Sequence, residues 1–529
     1  MMPRAGRIVL GTIVLAALAW MASYRLGDSP AYINLDEAHF GNHAYSLART
    51  AADLNGNRLP LFISLDDPQG DRPTLPWGTT WYHPFGFYLI ASSLLIAPFA
   101  EWSIRLPIAL VAVVDIWLMY LVASRWFESR VAGIVAGALL AMTPAHVILS
   151  RVALDYLLPL PCVLAWLLAL SFLLRQPDRR SAAVTGLVLG IGCYSYVSSW
   201  LMMPLYLAIT VYALLRLGRR DLLIAAIGAF ALAMLPLVVW VAFHPSMPGN
   251  ILAQYQVGET RPSVLKAVMT GSGVASAVRT AISAYWSYFD PSFLFVTGGA
   301  SRLVSTGLIG VWPVGVAILL LLSVPGTIRS LTTPSTAILV AGLFLAPVPA
   351  ALKGEPFAIQ RAISMLPFGV LIAAGALHGT TSGIGRGILL AALVSVPIQF
   401  SGFISDYFGS YRVRAAHALD PTSFRDTADV LITRATAQPD AIIWLPTPLY
   451  DVSAKWRFYC TARGANALLQ RTRYFSGLLT DLPSVGGPDA FVVIDAEPQS
   501  LGGWQVVAEP RDVTGSAPLR VVQRPDLQR

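Results

Sequence analysis

About eleven apolar runs, most of them close to the ~17–25 residues that a helix needs to cross a bilayer, divide this 529-residue chain. The first is Ile8 to Tyr24, preceded by Arg4 and Arg7; the others run approximately 105–127, 131–149, 157–174, 182–197, 199–215, 222–243, 308–325, 336–350, 363–378 and 387–404. With 55% hydrophobic and only 12% charged residues, against about 25% charged in soluble domains, the chain reads as a polytopic α-helical membrane protein. Trp20-Met21-Ala22 would be a poor signal-peptide cleavage site, so the first run is taken as an uncleaved anchor.

The arginines set the expected topology. Arg125 and Arg130, Arg175, Arg179 and Arg180, Arg216, Arg219 and Arg220, Arg329, and Arg386 fall in alternate loops, and all share the side of Arg4 and Arg7 if Phe85 to Phe99 does not span. That is the positive-inside pattern. Phe85 to Phe99, short and broken by Pro98, is therefore assigned as a juxtamembrane or re-entrant helix within a long first outer loop, 25–104. The N-terminus is then cytoplasmic and the C-terminus outside, in a cell (inner) membrane. The net charge of +8 is accounted for without nucleic acid. Cys162 and Cys193 lie in apolar runs and Cys460 stands apart, so the cysteines form no disulfide framework.

On the outer side, ionisable groups gather at the ends of the spans, where they are costly unless paired or functional. Asp36 and Glu37 follow the first span; Tyr82, His83 and Arg105 precede the second; Arg151 and Asp155 lie between the third and fourth; His244 ends the seventh; Lys353, Glu355 and Arg361 lie between the ninth and tenth. Asn34 is placed to cap a helix with Glu37 reaching back as in a capping box, and Phe40, Ala44, Leu47, Ala48, Ala51 and Leu54 continue it as an amphipathic helix along the interface. Each group also has a plainer reading: carboxylates complementing a helix dipole, Arg105 or Arg361 snorkelling, His244 satisfied at a helix end, Arg151 and Asp155 as an intrahelical pair. The first outer loop also holds Asp66, Asp67, Asp71, Gly56 and Gly70.

The outer loop Pro245 to Thr306 is too long for a mere connection, and Tyr285-Trp286-Ser287-Tyr288-Phe289 within it suits lipid headgroups or sugar faces. Beyond about Asp406 the composition turns polar, and residues 406–529 read as a small outer-face α/β domain: a helix near Ser423 to Ala437, and strands at Ala441 to Leu445, Ala490 to Ile494 and Leu519 to Gln523. No phosphate loop or nucleophile elbow occurs in it.

The order of these features resembles the GT-C membrane glycosyltransferases, family-39 type, which includes protein O-mannosyltransferases and lipid A aminoarabinose transferases. The resemblance covers residues 1–405 and rests on Asp36-Glu37 after the first span, Tyr82-His83-Pro84-Phe85 against a Lys/His-Pro-Pro segment, Arg105-Leu106-Pro107, Ser150-Arg151 with Asp155, and Arg361 before Leu366-Pro367. It implies transfer of a sugar from a polyprenyl-phosphate donor to a lipid, glycan or protein acceptor, with catalytic Asp36 and Glu37, and with His83, Arg151 and Arg361 at the donor phosphate. Tyr82, Arg105 and Asp155 would support them. Asp36 is the expected base; Asp155 orients Arg151, or joins Asp36 at a divalent ion as in some relatives, so the metal requirement stays open. Here Phe85 replaces the second proline and His83 stands where Lys is frequent, leaving a permanent cation for the phosphate unassured. A transporter or flippase of lipid-linked substrates is the competing class, set against by the absence of a repeat and by polar groups confined to one side.

Overall fold

The structure, a computed structural model, describes residues 4–67, 70, 79, 81–254, 263–299, 301–449, 452–482, 490–496, 501 and 503–523. Asp71 and the stretch 255–262 of the long outer loop lie outside the described residues.

Backbone groups in hydrocarbon must be satisfied within their own segment, and the apolar runs are accordingly helical. The first half comprises α1 (Arg4–Ser23), α2 (Leu35–Thr50), α3 (Pro84–Leu94), α4 (Glu101–Trp126), α5 (Arg130–Ala141), α6 (Pro144–Leu149), α7 (Pro159–Arg175), α8 (Arg179–Gly192), α9 (Ser199–Arg216) and α10 (Leu223–Phe243). Six described helical segments are long and apolar enough to cross a membrane, among them Glu101–Trp126, Arg220–Phe243 and Gly383–Phe408; shorter apolar helices include Arg130–Ala141, Val314–Arg329 and Met365–Gly379. The expected run 131–149 is broken into α5 and α6 at Pro144, because a proline starts a helix more readily than it continues one. Two seams close through small residues spaced four apart. A Cβ on Gly186 would meet the Ala226 carbonyl oxygen of α10, and one on Gly133 would overlap Ser124 of α4, with Gly190 and Gly137 continuing each seam.

At one end of this bundle sits the material that positions the site. Helix α3 has 11 residues, about 16 Å at 1.5 Å per residue, roughly half of a ~30 Å hydrocarbon core. It packs on α2, with Phe40 and Phe87 stacked at 4.1 Å. A two-stranded antiparallel ribbon, β1 (Ile63–Ser64) with β2 (Trp81–Tyr82), precedes it. The C-terminal segment forms a five-stranded sheet in the order β4-β3-β5-β7-β6, from β3 (Ile442–Pro446), β4 (Thr472–Phe475), β5 (Ala490–Asp495), β6 (Gln505–Ala508) and β7 (Leu519–Gln523). β3 is parallel to β4 and β5, and β7 is antiparallel to β5 and β6. Helices Phe424–Ala437 and Val452–Ala462 accompany the sheet. The helix Val452–Ala462 and strands β4 and β6 are additions to the sequence reading.

This sheet unit is not an appendage. Ile33, Ala38, Phe40 and Ala44 share one buried apolar cluster with Phe424, Trp456, Phe458 and Val521. Polar contacts follow: Arg457 forks onto Asp67 at 3.0 and 3.1 Å, Asn42 donates to the Ala454 carbonyl at 2.8 Å, and Glu101 accepts from Arg425 and Tyr459. Helix α2 is therefore enclosed between α3 and the C-terminal unit, where the sequence suggested a helix lying on the interface. The Cys460 side chain is buried in the same core.

Candidate active site

The site begins with the start of α2. Asn34 is extended; its Oδ1 accepts from the Asp36 N–H at 2.9 Å, and its own N–H donates to Glu37 Oε2 at 2.8 Å, completing the capping box. Glu37 is then consumed. Oε1 accepts from Arg105 Nε and the Ala153 N–H, both at 2.8 Å, and Oε2 accepts from Arg105 Nη2 at 3.0 Å. Arg105 spends its remaining N–H groups on the carbonyls of Leu26, Pro30 and Tyr32, so all five donors of the guanidinium are used, and both side chains of the pair are 0% exposed. Glu37 thus departs from the catalytic part that the resemblance implied: every lone-pair direction of its carboxylate is occupied by a fixed donor.

Arg151 departs from its expected place for a related reason. Its guanidinium donates to the carbonyls of Ala22, Tyr24 and Ser29, with no ion pair to Asp155. The last turn of α1 and the irregular chain from there to Asn34 hold carbonyls that have no ladder to join. Arg105, Arg151, Arg412 (to Asp28) and Arg425 (to Ala31) serve them instead.

His83, expected at the donor phosphate, is enclosed by aromatic rings. It is buried at the N-cap of α3 against Phe62 and Trp200, and burial pushes its imidazole down to about 3. It is neutral at pH 7, and its Nε2 has no hydrogen-bond partner among the described residues. Tyr82 stands edge-on to Phe40 at 5.8 Å, a packing contact that fixes α2 against β2.

The remaining expected residues do come together. Asp36, half-buried in the first turn of α2, and Arg361 both act electrostatically on Asp155. Asp155 opens the short turn Asp155–Leu157, which packs on the turn Ile359–Arg361. The first turn of α3 seals this junction: a Cβ on Gly86 would lie 2.9 Å from Phe40 and 3.8 Å from Asp155. Arg361 donates through Nε to Glu355 Oε2 at 2.5 Å and through Nη1 to the Tyr196 hydroxyl at 3.3 Å; Lys353 Nζ reaches the same Glu355 oxygen at 3.0 Å. Tyr196 meets Tyr156 edge to face at 5.7 Å. The result is a run from two carboxylates, Asp36 and Asp155, past two tyrosines to two cations that share one carboxylate. Among the described residues no group of three or more His, Cys, Asp or Glu is placed to hold a metal ion.

In the sequence Lys353 and Glu355 stand among the outer charges with no task assigned, and nothing there marks Tyr156 or Tyr196. The signal was there for the first two, which stand two residues apart and within eight of Arg361.

The fold matches that of membrane GT-C glycosyltransferases, as comparison with solved structures shows. ArnT from Cupriavidus metallidurans, in a structure bound to undecaprenyl phosphate, aligns over 99% of both chains with a TM-score of 0.60 and 13% identity; its apo structure gives 0.57, at 14% identity over 98% of both chains. The oligosaccharyltransferase AglB from Archaeoglobus fulgidus, solved with an inhibitory peptide and a dolichol-phosphate, aligns over 91% of this chain and 69% of its own, with a TM-score of 0.51 and 14% identity. Comparison with curated protein sequences finds no match. The chain is a multi-pass membrane protein of the GT-C fold. More narrowly, residues 75–243 match the model of the family described as dolichyl-phosphate-mannose-protein mannosyltransferase.

Proposed function

We propose that this chain is a hexosyl- or pentosyltransferase that moves a monosaccharide from a polyprenyl-phosphate donor to a hydroxyl-bearing lipid, glycan or protein acceptor, on the outer face of the cell membrane. The observation that carries the proposal is the convergence of Asp36, Asp155 and Arg361 from three distant parts of the sequence, with a carboxylate end and a cationic end about one junction. The family match and the GT-C fold support the same reading. Both relatives were solved with a polyprenyl-type lipid phosphate, which suggests the donor class.

Transfer needs a base for the acceptor and positive charge for the leaving group. Asp36 takes the acceptor hydroxyl proton as its oxygen bonds to the anomeric carbon. The bond from that carbon to the lipid phosphate breaks, and the phosphate departs toward Arg361, whose guanidinium can contact two oxygens. Lys353 is the second cation there. Asp155 orients the two ends, and Glu37 is a positioning residue that fixes the start of α2. The outer orientation rests on the arginine distribution.

The test offers the purified full chain polyprenyl-phosphate sugars and nucleotide sugars separately, each with a panel of acceptors. Transfer from the lipid donors is expected. Transfer from a nucleotide sugar with no lipid intermediate would overturn the donor assignment.

A further inference from the structure

Two of the buried or half-buried arginine–glutamate arrangements at this end of the molecule differ in one respect that bears on ligand binding. Glu37 and Arg105 are sealed at 0% exposure. The side chains of Lys353, Glu355 and Arg361 are 17%, 27% and 13% exposed, open toward the surroundings. In this triad a single oxygen, Glu355 Oε2, accepts from both Lys353 Nζ and Arg361 Nε. Both cations are therefore already within hydrogen-bond reach of one anionic oxygen.

We infer that Glu355 is an internal stand-in for the donor phosphate: its carboxylate keeps the anion position between Lys353 and Arg361 and gives it up when the lipid phosphate arrives. The inference rests on the donor reading above and adds the second cation and the residue that competes for the site. A phosphate oxygen makes the same charge-assisted bonds as a carboxylate oxygen, so the exchange replaces one anion by another without leaving either cation unpaired. The exchange needs only a side-chain rotation. The Glu355 backbone is held in place, because the Tyr288 hydroxyl donates to the Glu355 carbonyl at 2.7 Å and accepts from the Ala358 N–H at 3.1 Å. Gly354, at φ 81°, lets the chain turn out of the preceding helix Val348–Lys353 directly before Glu355.

A stand-in also has a use after the reaction. The sugar-bearing donor is a phosphodiester with one negative charge, whereas the released lipid phosphate is a monoester whose second pKa lies near 6, so it approaches two charges at neutral pH. With Glu355 swung aside, Lys353 and Arg361 would hold the product more firmly than the substrate. Returning Glu355 competes for the same cations and promotes release.

The experiment measures binding of undecaprenyl phosphate, with undecaprenol as the uncharged control, to the full chain in detergent. Glu355→Gln keeps the shape and removes the competing charge. It is expected to bind undecaprenyl phosphate about tenfold more tightly with undecaprenol unchanged, and to turn over more slowly at saturating donor with stronger inhibition by undecaprenyl phosphate. Lys353→Gln and Arg361→Gln each weaken phosphate binding. A purely structural ion pair predicts the opposite for Glu355→Gln, so unchanged or weaker binding overturns the inference. Should Glu355→Gln unfold, Glu355→Asp retains the charge on a side chain too short to span both cations, and absence of any affinity gain in it is equally decisive. If the wild-type chain shows no preference for the phosphate over the alcohol, the lipid-phosphate reading itself falls and takes this inference with it; a preference that Glu355 does not modulate overturns the inference alone.

Discussion

Neighbouring carboxylates can have unrelated tasks when one of them is saturated by fixed donors, as Glu37 is. Asp36→Asn is expected to lower kcat by ~10²- to 10⁴-fold, as for loss of a general base, with little change in the thermal unfolding of the detergent-solubilised protein. Glu37→Gln leaves the buried Arg105 guanidinium uncompensated, at a cost of ~3–5 kcal/mol, and is expected to appear first as loss of folded protein by size-exclusion chromatography. A second contrast separates two arginines that the sequence treated alike. Arg151→Ala strips the donor from three carbonyls, ~1–3 kcal/mol for each one left unsatisfied, so stability falls while the folded fraction keeps its KM for donor. Arg361→Ala raises that KM with smaller loss of stability. Equal KM changes in the two variants would return Arg151 to the phosphate site. That Asp36, Asp155 and Arg361 belong to the polar set at one end of the bundle was legible because charges at a membrane edge are expensive and therefore conspicuous in the sequence. The task of Glu37 was not, since it depends on Arg105, 68 residues away, and neither was that of Arg151, which depends on carbonyls whose lack of partners is visible only once the chain after α1 is seen to be irregular.

Helix α2 is fitted to its neighbours closely enough to be tested by one methyl group. A Cβ on Gly41 would lie 2.9 Å from Phe458 Cε2, closer than side chains pack, so Gly41→Ala is expected to cost ~1–3 kcal/mol and to reduce turnover through Asp36. Phe458→Leu in the same chain should recover part of both, measured as a double-mutant cycle. The start of α2 could be read from Asn34 and Glu37, whose spacing carries the cap; its enclosure could not, because the helix covering it begins at Val452. Acid sensitivity belongs to another contact of the C-terminal unit. Burial works against the Asp512 carboxylate, yet hydrogen bonds from Thr514, His417 and Ser423 hold it down to about 2. Its folded value lies below the ordinary ~3.9, so the stabilisation it gives is complete above about pH 5 and is lost as the pH falls from there toward 2. Unfolding curves for Asp512→Asn are expected to show less acid dependence across that window than wild type.

For the molecule as a whole, the apolar runs and the change to a polar composition after about Asp406 were enough to draw a membrane protein with a small C-terminal sheet unit. What they could not supply is that this portion and the first long loop form one core, since those contacts join residues several hundred positions apart. Deleting everything after Phe408 is accordingly expected to abolish turnover and to leave the loop after α1 open to protease, while the helical spans still insert. Cys460 is buried and burial raises its thiol well above the ordinary range, so an impermeant thiol reagent should label it only on unfolding. The orientation is better tested by a reporter fused behind the chain: activity of a cytoplasm-only reporter there would refute the outer placement. The contact of Asn42 with Ala454 also bears on biogenesis. Synthesis proceeds from the N-terminus, so on the outer placement proposed above the helix bearing Asp36 would be delivered across the membrane long before the segment that clasps it has been translated. The proposed transfer would be switched on only when synthesis is nearly finished, and a chain released early by a stalled ribosome would sit in the membrane without the proposed activity.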